Sequence, residues 1–545
     1  MTRTADIAVF SSNWLVKRPH SFSAFAPSRL RLFAEGKCLL RIFLPGVLLF
    51  SLLHVSEVPL LAQAAVIADN NQGISSGKKK SGTSAEKAKK KGGSGKKKSD
   101  AAAEEEKKKE GAGKKKGSAA GKKKTDPSDA QSQDENTKDS AGLKFKMKDY
   151  PSLRFGKALR VDFHAKAQGD FRTFWPERKI EEGVFDLHRA RIGVEGRFLK
   201  HFEFEIEREL RDTFRRFYED LDEAGRTDNP WRDVYVNFRY FPDFQIKVGK
   251  FKLPFGMDQP QGATKLDFIM RSRIGDLLAP ARDKGIMAHG RLFERGLSYQ
   301  AGYFLQDGEN ARTSDNEHTG GHTLAGRVLV RPLRLIPSPA VTKNIELGMA
   351  FTSSNVSEGL KGLRGRTLAK ETFFRHMFVN GRRLRVGTEM NWRPGPFSLQ
   401  GEFIHVQEQR KKQSLLGQDL PDLISRGWYL TGTWAVTGEQ KADEIKPRRE
   451  FLRERGFGAL ELAARCEQIR FGSSEHPGIP SRGTRAANIL GNSDRVWTFG
   501  INWYLNRWVK IQANAVRERI EDTARSPIPG RSRFWGRWFR LQFVL

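Results

Sequence analysis

From about residue 150 to the C-terminus, apolar and polar side chains alternate with a period of two. Leu159, Val161 and Phe163 alternate with Arg160, Asp162 and His164, and Ala190, Ile192 and Val194 with Arg189, Arg191 and Glu195. Phe202, Phe204 and Ile206 alternate with Glu203, Glu205 and Glu207; Trp497, Phe499, Ile501 and Trp503 alternate with Thr498, Gly500 and Asn502. Successive strand side chains point to opposite faces, so each segment presents one apolar and one polar wall. A soluble sandwich shares that local pattern, so the spacing between segments has to separate the two architectures.

Sixteen strands are expected, near 153–165, 184–197, 201–210, 232–240, 244–252, 285–293, 297–305, 322–330, 344–353, 382–392, 397–408, 427–437, 457–468, 495–504, 508–518 and 535–545. Most are close to the roughly 9–11 residues that a tilted membrane strand needs. The links 198–200, 241–243, 294–296, 393–396 and 505–507 are tight, whereas 211–231, 253–284, 354–381 and 469–494 are long. Short turns at one end and long loops at the other are the plan of an outer-membrane barrel; a sandwich has no reason for it. The links 331–343 and 438–456 are longer than a short turn and leave room for a misplaced strand. The low mean hydropathy does not argue against a membrane barrel, because lumen-facing and lipid-facing residues alternate. Phe539, Leu541, Phe543 and Leu545 give an apolar-out strand at the chain end, and Trp428, Trp434, Trp497, Trp503 and Trp508 suit aromatic girdles. The expected class is therefore all-β, a transmembrane antiparallel barrel of about 16 strands over residues 150–545.

Two segments precede it. Residues 1–64 read as an export signal with a long leader: Arg29, Arg31, Lys37 and Arg41, then the apolar stretch Ile42 to Leu53, then a small-x-small site at Ala62 to Ala64. An uncleaved anchor is the alternative. Residues 65–149 are expected to be a disordered, Lys-rich periplasmic segment, with lysine triplets beginning at Lys78, Lys89, Lys96, Lys107, Lys114 and Lys122. Such tails also occur on nucleic-acid-binding proteins, but the export signal argues against nucleic acid. A plain spacer or an electrostatic tether to an acidic envelope polymer fits better. Of the formal net charge of +32, residues 1–64 carry +4, 65–71 carry −1 and 72–140 carry +9, which leaves +20 on 141–545. The barrel is basic in its own right. Of the two cysteines, Cys38 falls in the signal, so Cys466 alone remains, too few for an internal disulfide or a four-thiolate zinc site.

Five stretches, in order, carry a family resemblance: Val248 to Gly256 (VGKFKLPFG); Phe268 to Ser272 (FIMRS) with Arg282 to Gly285 (RDKG); Gly427 to Glu439 (GWYLTGTWAVTGE); Gly458 to Arg465 (GALELAAR); and Gly500 to Asn506 (GINWYLN). Together they resemble the phosphate-selective porin O and P family over about residues 150–545. The resemblance implies a trimeric sixteen-stranded channel for phosphate or polyphosphate in the outer membrane of a Gram-negative-type bacterium. The Lys-rich segment, Cys466 where an aromatic residue is common, and Leu545 in place of a terminal phenylalanine depart from the family pattern.

A channel selects by the charges that line it. From the strand phases, Arg160, Arg189, Arg191, Arg239, Arg327, Arg383, Arg385, Arg465, Lys510 and Arg540 are expected to point inward. They either bind passing anions or pair with carboxylates; a turn centred on Leu199, for instance, sets Glu207 opposite Arg191 and Glu209 opposite Arg189. By family analogy the third long loop, 253–284, folds into the barrel as the constriction, with Lys265, Arg271, Arg273, Arg282 and Lys284 as its cations and Asp258, Asp267, Asp276 and Asp283 opposing them. A solvated external loop is the alternative. No zincin, thioredoxin or P-loop motif occurs, and no spacing singles out His164, His201, His289 or His405. The expectation is a non-enzymatic anion porin with no cofactor and no metal, its partners being inorganic phosphate or other anions, outer-membrane lipid and two further copies of the chain. The alternative function is an envelope anchor that acts through the Lys-rich segment.

Overall fold

The computed structural model describes residues 143–147, 151–176, 185–210, 230–308, 320–334, 343–451, 455–474 and 476–545. The expected export signal, and the Lys-rich segment up to residue 142, lie outside the described residues. The strands are β1 (Leu143–Met147), β2 (Pro151–Phe155), β3 (Leu159–Trp175), β4 (Phe185–Phe198), β5 (Phe202–Glu209), β6 (Trp231–Phe238), β7 (Gln245–Lys252), β8 (Arg282–Leu292), β9 (Leu297–Phe304), β10 (Gly320–Val330), β11 (Glu346–Leu360), β12 (Gly365–Arg366), β13 (Thr372–Phe374), β14 (Phe378–Trp392), β15 (Phe397–Arg410), β16 (Leu420–Ala435), β17 (Ala459–Ser473), β18 (Asn492–Tyr504), β19 (Val509–Ile520) and β20 (Arg533–Val544). One short helix, α1 (Arg273–Leu277), lies between β7 and β8.

Sixteen of these strands, β3 to β11 and β14 to β20, pair with their neighbours antiparallel, and β20 closes the ring on β3 from Trp535↔Trp175 to Val544↔Lys166. The last residue is locked into the seam: the Leu545 amide donates to the Ala165 carbonyl at 2.8 Å, and the Ala165 amide returns the bond at 3.0 Å. β1 and β2 form a hairpin that continues the sheet along the first residues of β3. Residues 143–147 therefore belong to the sheet and not to the expected disordered segment.

The barrel is inside-out relative to a soluble protein. Leu347, Met349 and Phe351, then Trp497, Phe499 and Ile501, then Phe539, Leu541 and Phe543 are exposed on the outer wall. The alternate residues Thr498, Asn502, Arg540 and Gln542 are buried inside. A continuous apolar outer wall of this kind suits lipid and not water. Near the short-turn end, the Trp434 ring stacks on Phe397 and the Trp503 ring on Phe457, with centroids 6.0 and 5.2 Å apart.

All sixteen expected strands have counterparts, with two corrections of position. The first runs from Leu159 to Trp175 instead of 153–165, since Ala165, Ala167 and Gly169 continue its outer face without the bulk that marks a lipid wall. The turn after β4 is centred one residue later than Leu199: Phe198 pairs with Phe202, their rings stacked 4.8 Å apart, which sets Arg191 opposite Glu209 and Gly193 opposite Glu207. Among the described residues, no further strand falls in the links after β10 and β16. The link after β16 folds back into the barrel end, where Ile445 packs with Ala435, Ala459 and Tyr504.

Candidate functional site

The loop between β7 and β8 runs through the barrel and not outside it. A chain segment buried this way must satisfy its backbone polar groups, and inward strand side chains do so. Lys510 donates to the Thr264 and Leu266 carbonyls at 2.9 and 3.1 Å, and Asn502 to the Asp267 carbonyl at 2.9 Å. The Ile269 amide donates to Asn514 at 2.8 Å. Arg465 reaches the Met270 and Arg271 carbonyls at 3.2 and 3.1 Å while pairing with Glu467 at 3.0 Å. The Arg273 amide donates to Glu467 at 2.5 Å, its guanidinium lies 3.3 Å from Asp494, and Arg385 donates to the Leu278 carbonyl at 2.8 Å. Within the loop, Ser272 caps α1 by accepting from the Gly275 amide at 3.0 Å and donates to Asp258 at 3.0 Å. From the opposite end of the barrel, Lys441 donates to Asp267 and Glu461, both at 2.5 Å.

Apolar packing fixes the same loop to one side of the lumen. Phe255, Ile274, Leu278 and Ala279 join Phe373, Phe374 and Met377 of the β11–β14 link, and Ile404, Val406, Ile469 and Phe471 of the wall, in one buried cluster. Beside it, Asp307 accepts from both Arg383 and Arg385, and Glu408 accepts from Arg383 at 2.8 Å. Burial alone would raise the Asp307 carboxyl; the Arg385 and Arg383 guanidiniums outweigh it and hold the group well below the usual carboxylate range.

Between the loop and the wall of β3 to β10 lies a cavity of about 520 Å³. Its lining holds nine basic residues (Lys166, Arg189, Arg191, Arg232, Lys247, Lys252, Arg271, Arg282 and Arg327) against four acidic ones (Glu205, Glu207, Asp233 and Asp276). Arg189 donates to Gln168 at 2.7 Å, Arg191 pairs with Glu209 at 2.7 Å and Glu207 at 3.1 Å, and Arg327 pairs with Glu389 at 2.8 Å. Arg282 pairs with Asp233 at 2.5 Å. Arg271 donates to the Asp258 and Gln261 carbonyls, and burial pushes its guanidinium below its ordinary range. Even with every acidic group paired, the wall keeps an excess of positive charge.

The sequence-derived cations thus divide. Arg189, Arg191, Arg327, Arg271 and Arg282 meet in the cavity. Arg383, Arg385, Arg465, Lys510 and Arg540 face inward but are buried in internal pairs or hold the loop; Arg540, for one, pairs with Asp170 at 2.6 Å. Arg160 pairs with Asp162 at 2.8 Å, and Arg239 lies just past β6 beside Glu203. Lys265 is exposed on the loop, and Arg273, at the start of α1 in the same loop, is buried. Arg282 and Lys284 belong to β8 and not to the loop, and Lys284 shares the outward parity of the exposed Ile286. Lys166, Arg232, Lys247 and Lys252 were not anticipated. Lys166 lies past the expected end of the first strand, and Gln245 to Lys252 has lysines in both phases, so its inward face cannot be read from polarity.

A closed sixteen-stranded barrel with an apolar outer wall and a charged lumen defines an outer-membrane β-barrel channel protein. The family model for phosphate-selective porin O and P matches residues 161–543, and the chain belongs to that family. Porin O of Pseudomonas aeruginosa is 26% identical over 143 residues, which cover 25% of this chain and 30% of that relative. Among solved structures, the anion-selective porin from Comamonas acidovorans is 10% identical with a TM-score of 0.44 and covers 71% of this chain and 100% of its own. The outer-membrane-expressed OmpT of Vibrio cholerae is also 10% identical at a TM-score of 0.44, covering 74% of this chain and 100% of its own.

Proposed function

We propose that the protein is a passive outer-membrane channel for anions, with inorganic phosphate or polyphosphate as its leading solutes, and that it assembles as a homotrimer. The observation that carries this reading is the lining of the cavity, nine basic residues against four acidic ones. Guanidinium groups bind phosphate oxygens in pairs, whereas ammonium groups act as point charges. A series of such contacts, each shared with a neighbouring carboxylate or carbonyl, gives an anion several weak stations instead of one tight trap. Phosphate preference rests on family membership and on the six arginines of the lining; anion preference rests on the charge excess itself.

Reconstitution in a planar bilayer tests both parts. Reversal potentials in a potassium chloride gradient are expected to show anion selectivity, and cation selectivity would sink the reading. Added phosphate is expected to reduce the chloride current; no reduction at any concentration leaves a general anion channel.

A further inference from the structure

A second chemistry is built into the same wall. His164 on β3 and Glu205 and Glu207 on β5 each offer one ligand atom, and these atoms lie within 4.8 Å of one another. β4 runs between the two strands, and Gly193 is what lets the side chains meet across it. Gly193 pairs with His164 on one side and with Glu207 on the other. A Cβ at position 193 would stand 2.3 Å from His164 Nε2, so the imidazole occupies the space that any other residue would fill. The His164 side chain is 8% exposed, its Nε2 makes no hydrogen bond, and that nitrogen lies 3.5 Å from Oε2 of Glu207. A buried polar nitrogen without a hydrogen bond is costly, and here it faces the Glu207 carboxylate, which lines the cavity beside Glu205.

We propose that His164, Glu205 and Glu207 form a binding site for a divalent first-row transition-metal ion, with Zn²⁺ as the best-fitting member, open on its lumen side. One imidazole and two carboxylates are a nitrogen–oxygen donor set that suits zinc, and three protein ligands leave a fourth position for water or an anion. Donor atoms around a tetrahedral zinc lie about 3.3–3.6 Å apart, from bond lengths of about 2.0–2.2 Å. The His164–Glu207 pair already has that spacing, and the Glu205 ligand atom lies within 4.8 Å of both.

The neighbours fix the consequence. Oε2 of Glu207 accepts from Lys166 Nζ at 2.5 Å, and Oε1 accepts from Arg191 at 3.1 Å. A bound ion takes Oε2 from the ammonium. The Lys166 side chain, 27% exposed and part of the cavity lining, is then free to turn to the lumen. The ion neutralises the acidic patch and presents an open coordination position to an anion oxygen. That last step rests on the reading of the cavity as an anion path; metal binding does not.

The test uses the full-length chain without an affinity tag, purified in detergent and titrated with Zn²⁺ by calorimetry, with Co²⁺ absorption as a second readout. One ion per chain is expected. His164→Ala is expected to weaken binding at least about tenfold and to abolish the Co²⁺ spectrum. His405→Ala, on β15, is expected to bind as the unmodified chain does. Heat-modifiable migration and chloride conductance verify that each variant is a folded barrel. Absence of stoichiometric zinc, or unchanged zinc affinity in folded His164→Ala, overturns the site. Zinc binding in a channel that proves cation-selective overturns the proposed function and leaves the site standing.

Discussion

At the residue scale, strand parity tells which way an arginine points and not what it meets. Arg189 and Arg385 have the same sequence signature, yet Arg189 faces the cavity and Arg385 is buried against Asp307 and the Leu278 carbonyl. Two predictions separate these roles. A unit charge about 4 Å from a permeating ion contributes about 1 kcal/mol in a water-like dielectric, a factor of about five. Arg189→Ala is therefore expected to lower the anion-to-cation permeability ratio by up to about fivefold in bilayer recordings, with thermal stability unchanged. Asp307→Asn should do the reverse. It leaves Arg385 and Arg383 buried without their shared carboxylate, a loss of about 3–5 kcal/mol when one partner of a buried pair is removed, readable as a lowered urea midpoint. Because the Asp307 carboxyl is depressed in the folded protein, its contribution is complete above the ordinary carboxylate range and is lost only as pH falls through the depressed value. Acidification to about pH 4, the ordinary aspartate value, is expected to leave the network intact, whereas Asp307→Asn is destabilised at every pH above it.

At the element scale, most of the barrel was legible because its outer wall is written in bulky apolar residues at every second position. It was illegible where that wall turns small, as at Ala165, Ala167 and Gly169, which hid the second half of β3. The path of the β7–β8 loop was expected from the family and not from its residues. Its fixing points, such as Lys510, Arg465 and Asn514, lie 195 to 246 positions away in sequence, so no local pattern ties them to it. That fixing can be tested. Arg465 donates to two loop carbonyls, pairs with Glu467, and lies 4.6 Å over the Phe268 ring. At roughly 1.5–3 kcal/mol for each hydrogen bond to a charged group, Arg465→Ala removes enough to raise the population of the detached loop at least about tenfold. The expected readout is a larger and noisier single-channel conductance with weaker anion selectivity, since Arg271 leaves the lining. Unchanged conductance would mean that the remaining contacts hold the loop without it.

At the scale of the whole molecule, two separate stores of positive charge have to be told apart. Residues 72–140 hold +9 in lysine triplets, and residues 141–545 hold +20. At physiological ionic strength exposed charges are screened over about 8 Å, so only charges that line the path of the ion set selectivity. The cavity has its own excess, which is enough for anion preference with no contribution from the lysine triplets. Deletion of residues 72–140 is therefore expected to leave conductance and reversal potential unchanged in reconstituted bilayers. If the segment instead binds an acidic envelope polymer, the same deletion releases the envelope from that contact while the channel goes on conducting. A fall in anion selectivity on deletion would place the lysines in the permeation path and move the origin of selectivity out of the barrel. Salt gives the complementary measurement. At 1 M the screening length shrinks to about 3 Å, and a selectivity that arises from lining arginines without tight binding has to fall with it, whereas a site that grips phosphate through paired guanidinium contacts keeps its preference.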